Sequence, residues 1–215
     1  MAVDESIIRS EIVGTGRKLV DLGLVVATWG NISARCQNNI IITPSGTDYF
    51  TIEEQELVTL ANNGQQIAGQ LKPSSEWKVH WNIYISRSDV NAIVHTHSIF
   101  ATTCSTLGEE IPPLVEDIAM LIGGGIRVAE YRLAGTDQLA EVTAAALGDR
   151  NGVLLANHGA VGVGANLREA LYACMLIEKA AQIYLTAKQV GEPNIIPEEH
   201  VRKLRETYLK SYRQK

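Results

Sequence analysis

Apolar residues recur at two spacings along the chain, and the alternation between them marks out its elements. Over residues 4–22, Ile8, Ile12, Leu19 and Leu22 sit near helical spacing, and Gly23 stops the run. A turn at Thr28-Trp29-Gly30-Asn31 precedes Ile32, Ala34 and Cys36, whose period of two predicts a short strand. Asn38-Asn39 reads as a hairpin turn into Ile40-Ile41-Ile42-Thr43, which Pro44-Ser45-Gly46 ends. The polar stretch to Asn63-Gly64 accommodates one helical turn and one more strand pair. From Pro73 to about Arg87 the spacing predicts a helix, with Ser74 or Ser75 as N-cap. A strand around Ile93 and Val94 follows, then a helix to about Leu107.

Residues 108–134 read as loop-rich, with Pro112-Pro113 and Gly123-Gly124-Gly125 around a short apolar segment. A helix over 136–147 leads to the strand Gly152-Val153-Leu154-Leu155-Ala156, which Asn157-His158-Gly159 closes before another strand to Val163. Asn166-Leu167-Arg168-Glu169 is a capping box opening the longest helix, to about Gln189. Pro193 and Pro197 set off a final helix reaching Tyr212. Strands alternate with helices, yet several strand pairs are hairpin-like. The pattern therefore predicts an α/β fold whose sheet is mixed or mainly antiparallel and flanked by helices, not a doubly wound parallel sheet. No repeat or linker divides the chain, so residues 1–215 are expected to form one domain.

Composition narrows the partners. The chain is 46% hydrophobic and 20% charged, ordinary for a soluble globular protein, and its net charge of −5 comes without a basic block. Nucleic acid and anionic membrane are thus not expected as partners. Apolar runs are too short to span a bilayer, and Asp4, Glu5, Arg9 and Glu11 break up any signal peptide. Cys36, Cys104 and Cys174 lack CxxC spacing and read as packed, reduced thiols of a cytoplasmic protein.

The chemistry centres on Asn91-Ala92-Ile93-Val94-His95-Thr96-His97-Ser98. Residues i and i+2 of a strand point to one face, so His95 and His97 suit two ligands of one metal ion. His158, at a strand end, is a candidate third ligand; His80 and His200 lie on predicted helices and read as surface or packing residues. Glu76 is the candidate fourth group, although an acidic residue in a first helical turn also complements the helix dipole. Glu76 and His80 share a helix face at i, i+4, which leaves a Glu/His ligand pair as a competing arrangement. Three stretches offer neutral anion donors: Gly30-Asn31, Thr43-Pro44-Ser45-Gly46 and Ser74-Ser75, the last at a helix N-terminus. Lys72 is the one cation within these motifs.

The ordered set T-x-G-N-I-S (Thr28 to Ser33), I-T-P-S-G (Ile42 to Gly46), P-S-S-E-W (Pro73 to Trp77), V-H-T-H (Val94 to His97) and N-H-G (Asn157 to Gly159) resembles the class II aldolase/adducin family. The resemblance covers nearly the whole chain. It implies a three-layer fold and a homotetramer with active sites between subunits. It implies one Zn2+ per subunit, with Mn2+ or Co2+ as alternatives, bound by His95, His97, His158 and Glu76, the last also the catalytic base. Asn31, Ser45, Gly46, Ser74 and Ser75 match the family's phosphate-binding positions, and Tyr208 matches a C-terminal tyrosine placed at a neighbouring subunit's site. The implied substrate is a small phosphorylated sugar, a ketose 1-phosphate such as L-fuculose 1-phosphate or a related deoxy-ketose, cleaved to dihydroxyacetone phosphate and an aldehyde.

One position departs from that pattern. Glu116 stands where the fuculose-phosphate branch carries an acid tyrosine and where the related methylthioribulose-1-phosphate dehydratases have glutamate. A carboxyl acting as acid there calls for burial, and a dehydratase is the alternative reading. Sugar-phosphate 4-epimerases of the family carry Asp at the position of Glu76, and an adducin-like binding module would not need all three histidines.

Overall fold

The computed structural model describes residues 4–212; the remainder of the expected 1–215 domain lies outside the described residues. The first helix, α1 (Glu5–Asp21), starts where Asp4 accepts the Ser6 N–H at 3.1 Å, satisfying one of the amides that a helix start leaves without a partner. Its apolar stripe, Ile8, Ile12 and Leu19, is buried.

Eight strands form one sheet: β1 (Asn31–Cys36), β2 (Asn39–Ile42), β3 (Val58–Leu60), β4 (Gln66–Ala68), β5 (Ala92–Thr96), β6 (Arg127–Ala129), β7 (Gly152–Leu155) and β8 (Gly159–Gly164). Their spatial order is β4-β3-β2-β1-β5-β8-β7-β6. Among the described residues every pairing is antiparallel except β6 with β7. The mainly antiparallel sheet is therefore as expected. The β6 strand lies inside the stretch read as loop; three residues carry too little periodicity to be seen.

Helices cover both faces. On one, α1 and the long α5 (Leu167–Val190) pack on Ile32, Ala34, Ala92 and Val94. On the other, α2 (Trp77–Ser86) and α4 (Asp137–Leu147) pack on Ile93, Val153, Val161 and Val163. Ile93 and Val94, adjacent in β5, thus point to opposite layers, and both have no exposed surface. Each such side chain contributes ~1.5–3 kcal/mol by leaving water. The third apolar cluster joins α3 (Ile99–Leu107), the π-helical turn Ile118–Ile122 and the middle of α5. Glu178 of α5 accepts the Phe100 and Ala101 amides, at 3.0 and 2.8 Å, and so caps α3 with a carboxylate.

Two helix boundaries differ from expectation. α2 begins at Trp77, not Pro73, with Glu76 at the N-cap position. Residues 73–75 are held instead by an antiparallel bridge from Pro73 to Pro44 and by Ser74 N–H donating to Thr43 O at 3.0 Å. The last helix, α6 (Glu198–Thr207), passes into a π turn over Tyr208–Tyr212. The capping box of α5 is present in shifted form: Asn166 accepts the Glu169 N–H at 2.9 Å, while Glu169 accepts from Ala165 at 3.1 Å. Cys36, Cys104 and Cys174 are free and buried, one each in β1, α3 and α5. Among the described residues no helix is long and apolar enough to cross a membrane.

Candidate active site

The site forms where β5 ends and β8 begins. His95 is the fourth residue of β5 and pairs in register with Asn31 of β1 on one side and Val161 of β8 on the other. His97 lies just past the strand. His158 sits in the three-residue turn between β7 and β8, next to Asn157, whose φ of 57° is tolerated by Asn better than by most residues. Gly159 must be glycine: a Cβ there would lie 2.3 Å from Thr96 O and 3.0 Å from the His97 ring. Close approach of the β8 start to the β5 end is what brings His158 to the pair.

The three rings stand edge to face around a common point, with centroids 4.7, 4.8 and 4.9 Å apart. His95 Nδ1 lies 2.9 Å from Ala160 O. A carbonyl only accepts, so the hydrogen is on Nδ1, and in the neutral ring Nε2 is bare and faces inward. That Nε2 is 2.8 Å from His97 Nε2 and 3.2 Å from Glu76 Oε2, while His158 Nε2 is 3.3 Å from Glu76 Oε1. All four ligand atoms lie within 4.8 Å of one another. Lone pairs gathered this closely repel unless a cation stands among them. Glu76 Oε1 is buried and has no hydrogen-bond partner, as a ligand oxygen awaiting a metal would be. The residues present fit a divalent ion.

The charges agree. Burial alone would raise the Glu76 pKa, but His95, His158 and the Asn31 N–H outweigh it and hold the carboxyl well below the usual range. His97 is pushed down to about 3 and His158 to about 4, first by burial and then by repulsion from His95 whenever that ring, whose pKa Glu76 raises, takes a second proton. Both are thus neutral at physiological pH, the form that binds metal. Glu76 and His95 are buried while His97 and His158 are half-buried, so the cluster opens on the side of those two rings.

The anion-binding candidates converge beside it. Besides the Pro44–Pro73 bridge, Ser45 N–H donates to Lys72 O at 3.0 Å, tying the Thr43–Gly46 loop to the Lys72–Ser75 loop. Ser45, Gly46 and Ser75 are exposed, whereas Ser74 is buried with its Oγ accepting the Glu76 N–H at 3.2 Å. Asn31 is 3% exposed; its Nδ2 donates to Glu76 Oε2 at 3.0 Å.

Two expected residues do not join the cluster in their own chain. Glu116 is exposed, contrary to the burial expected of it, and lines a groove with Leu114, Ile195 and His200. Tyr208 packs under the Arg205 guanidinium, 5.9 Å from ring centre to Cζ, in a cavity with Arg87 and Gly164. Gly164 pairs with Ala92 at the start of β5, so that cavity is at the opposite end of the sheet. His200 is on the surface as expected. His80 is fully buried, and both its nitrogens face groups other than the cluster, so the competing Glu76/His80 ligand pair is not assembled. Trp29, which sequence reasoning passed over, is 64% exposed with its ring 5.8 Å from that of His97.

Residues 10–185 match the Class II Aldolase and Adducin N-terminal domain family. A 5-deoxy-D-ribulose 1-phosphate aldolase of Bacillus thuringiensis serovar kurstaki is 41% identical over 198 residues, covering 91% of this chain and 92% of the relative. A 5-methylthioribulose-1-phosphate/5-deoxyribulose-1-phosphate aldolase of Rhodospirillum rubrum is 35% identical over 201 residues, 94% of this chain and 90% of the relative. The solved structure of an L-fuculose 1-phosphate aldolase superposes with a TM-score of 0.93 at 38% identity, covering 97% of this chain and 98% of that one.

Proposed function

The chain belongs to the class II aldolase and adducin family, and from that premise we propose that it is a metal-dependent aldolase that reversibly cleaves a short deoxy-ketose 1-phosphate. The products are dihydroxyacetone phosphate and an aldehyde. The observation that carries this reading is the place of Glu76: its carboxylate touches the histidine cluster on one side, and its helix start is shared with the Ser74-Ser75 loop on the other. The relatives described above are named as aldolases, which favours cleavage over dehydration.

Cleavage breaks the bond between C3 and C4 of the ketose. The C4 hydroxyl loses its proton and becomes the aldehyde carbonyl, and the bonding pair stays on C3 as an enediolate. A bound divalent ion supplies Lewis acidity toward the ketose oxygens where this charge develops. We assign Zn2+, for which three imidazoles and a carboxylate are a suitable set, with Mn2+ or Co2+ as alternatives. Glu76, ionised because His95 and His158 hold its pKa down, exchanges the proton at C3 as general base. Asn31, Ser45, Gly46, Ser74 and Ser75 hold the phosphate, and this remote binding orients the reacting end.

Glu116 is assigned to the proton of the C4 hydroxyl and Tyr208 to the same end of the substrate, both entering from neighbouring copies of a homotetramer. Support comes from the exposure of Glu116 and from the distance of the Tyr208 cavity from its own chain's cluster. Three unpaired cysteines support a reducing, cytoplasmic setting.

The test is to incubate the enzyme with L-fuculose 1-phosphate, 5-deoxyribulose 1-phosphate and methylthioribulose 1-phosphate, and to follow dihydroxyacetone phosphate. Release that a chelator abolishes and zinc restores is expected, and the relative rates name the substrate. A dehydrated diketone phosphate without triose phosphate overturns the reading.

A further inference from the structure

The sheet-facing side of α2 carries polar groups every four residues, Glu76, His80 and Tyr84, all of them buried. A helix packed on a sheet has no need of such a stripe, and every member has a partner in one continuous chain. Tyr84 OH lies 2.9 Å from Ser33 Oγ, Ser33 Oγ 2.6 Å from His80 Nδ1, His80 Nε2 2.5 Å from Asn31 Oδ1, and Asn31 Nδ2 3.0 Å from Glu76 Oε2.

The direction of every bond is forced. The Glu76 carboxylate only accepts, so Asn31 turns its NH2 toward it and its carbonyl oxygen toward His80. That oxygen only accepts, so His80 carries its hydrogen on Nε2. Burial above all pushes the His80 pKa down to about 3, and the neutral ring leaves Nδ1 as an acceptor. Ser33 must donate to Nδ1, and having spent its hydrogen it accepts from Tyr84. Four donors point the same way and end on Glu76.

We propose that His80 is a positioning residue for Glu76, locking Asn31 in the one amide orientation that donates to Glu76 Oε2. The proposal rests on the reading of Glu76 as base. A flipped Asn31 would set its carbonyl oxygen against the carboxylate and swing Oε2 away. With Oε2 anchored, Oε1 is the oxygen left without a donor, and the two oxygens of Glu76 have different work.

Two variants of similar size separate this role from packing. Glutamine at this position carries its NH2 near the place of Nε2, and asparagine reaches only the place of Nδ1. In zinc-loaded enzyme, His80→Asn should slow solvent-deuterium exchange into dihydroxyacetone phosphate on the order of 10–100-fold, since small misplacements of a catalytic group cost that much. Zinc content should stay near that of the wild type, and kcat for the cleaved ketose should fall. His80→Gln should restore exchange to within a few-fold of wild type. Equal rates in the two variants, or wild-type exchange in His80→Asn, overturn the proposal. Should His80→Asn not fold, Ser33→Ala carries the test: it frees the His80 tautomer and should slow exchange about tenfold, and an unchanged rate overturns the relay. Glu76→Gln is the reference arm. Exchange lost in Glu76→Gln but kept in His80→Asn sinks the relay alone, whereas exchange kept in Glu76→Gln sinks the base reading and the relay with it.

Discussion

The two halves of the candidate site are built in opposite ways. The metal half is made of side chains from a central strand, a tight turn and a helix start; Ala160 O stands behind His95 and Asn31 behind Glu76, and glycine at 159 lets His158 close in. The phosphate half is made of two surface loops tied to each other through their backbones, with Ser45, Gly46 and Ser75 exposed. A metal ion requires ligand atoms placed to within tenths of an ångström, which only a packed interior provides. A phosphate is large and multiply charged, and hydroxyls with loop amides can grip it without a buried framework. Removing one member should therefore collapse the first half and merely weaken the second.

The sharpest break is His97→Ala. One divalent ion per chain should fall to near none by elemental analysis, and cleavage should fall to background. Full metal occupancy in that variant contradicts the three-histidine set. Ser75→Ala should act more gently, raising KM for phosphorylated ketoses ~10–100-fold, the range expected for one hydrogen bond to a charged group. Exchange of unphosphorylated dihydroxyacetone should hardly change. If both ketones suffer alike, the serine is a structural part of the loop.

The smallest effect concerns stability and the framework behind Glu76. His80 has its pKa lowered from 6.5 to about 3 in the folded protein, so between those values the unfolded chain binds the extra proton. The stability it confers is fully present above pH 6.5 and is lost as pH falls toward 3. In that window the metal-free wild type should lose up to ~1.4 kcal/mol more per pH unit than His80→Gln, which cannot take the proton. Parallel stability curves from chemical denaturation at pH 4–7 would show that His80 is not buried neutral.

Much of this was legible in the sequence where the signal is local. His95 and His97 announce themselves by period two on a β-branched background, and Asn166 with Glu169 by the spacing of a cap. The converging loops at Ser45 and Ser74 could be listed as donors, but only the Pro44–Pro73 bridge puts them side by side. The sequence offers His80 as a surface or packing residue or as half of a Glu76/His80 ligand pair, although Glu76, His80 and Tyr84 at intervals of four are the available signal of a buried polar stripe. What hid it is that its partners Asn31 and Ser33 lie on another element, reached through the sheet register. Strand β6 was missed because it is short and enters the sheet through pairing with β7, more than twenty residues later. Helix α2 was started too early because a serine before a helix is usually its cap, and here the serine's backbone serves the loop bridge first.

The three cysteines give the fold a set of internal clocks. Each thiol is shut away in a different packing environment: Cys36 and Cys174 against the α1 side of the sheet, Cys104 beneath the α3 and π-turn cluster. Burial raises all three thiols, Cys104 to about 11 and Cys174 to about 12, so none is reactive thiolate in the closed protein. A thiol reagent can therefore act only when a layer swings open, and its rate at each cysteine times that opening. Cys174 shares its bond to Val94 O with the strand that carries His95, so its labelling rate measures how often the centre of the sheet breathes.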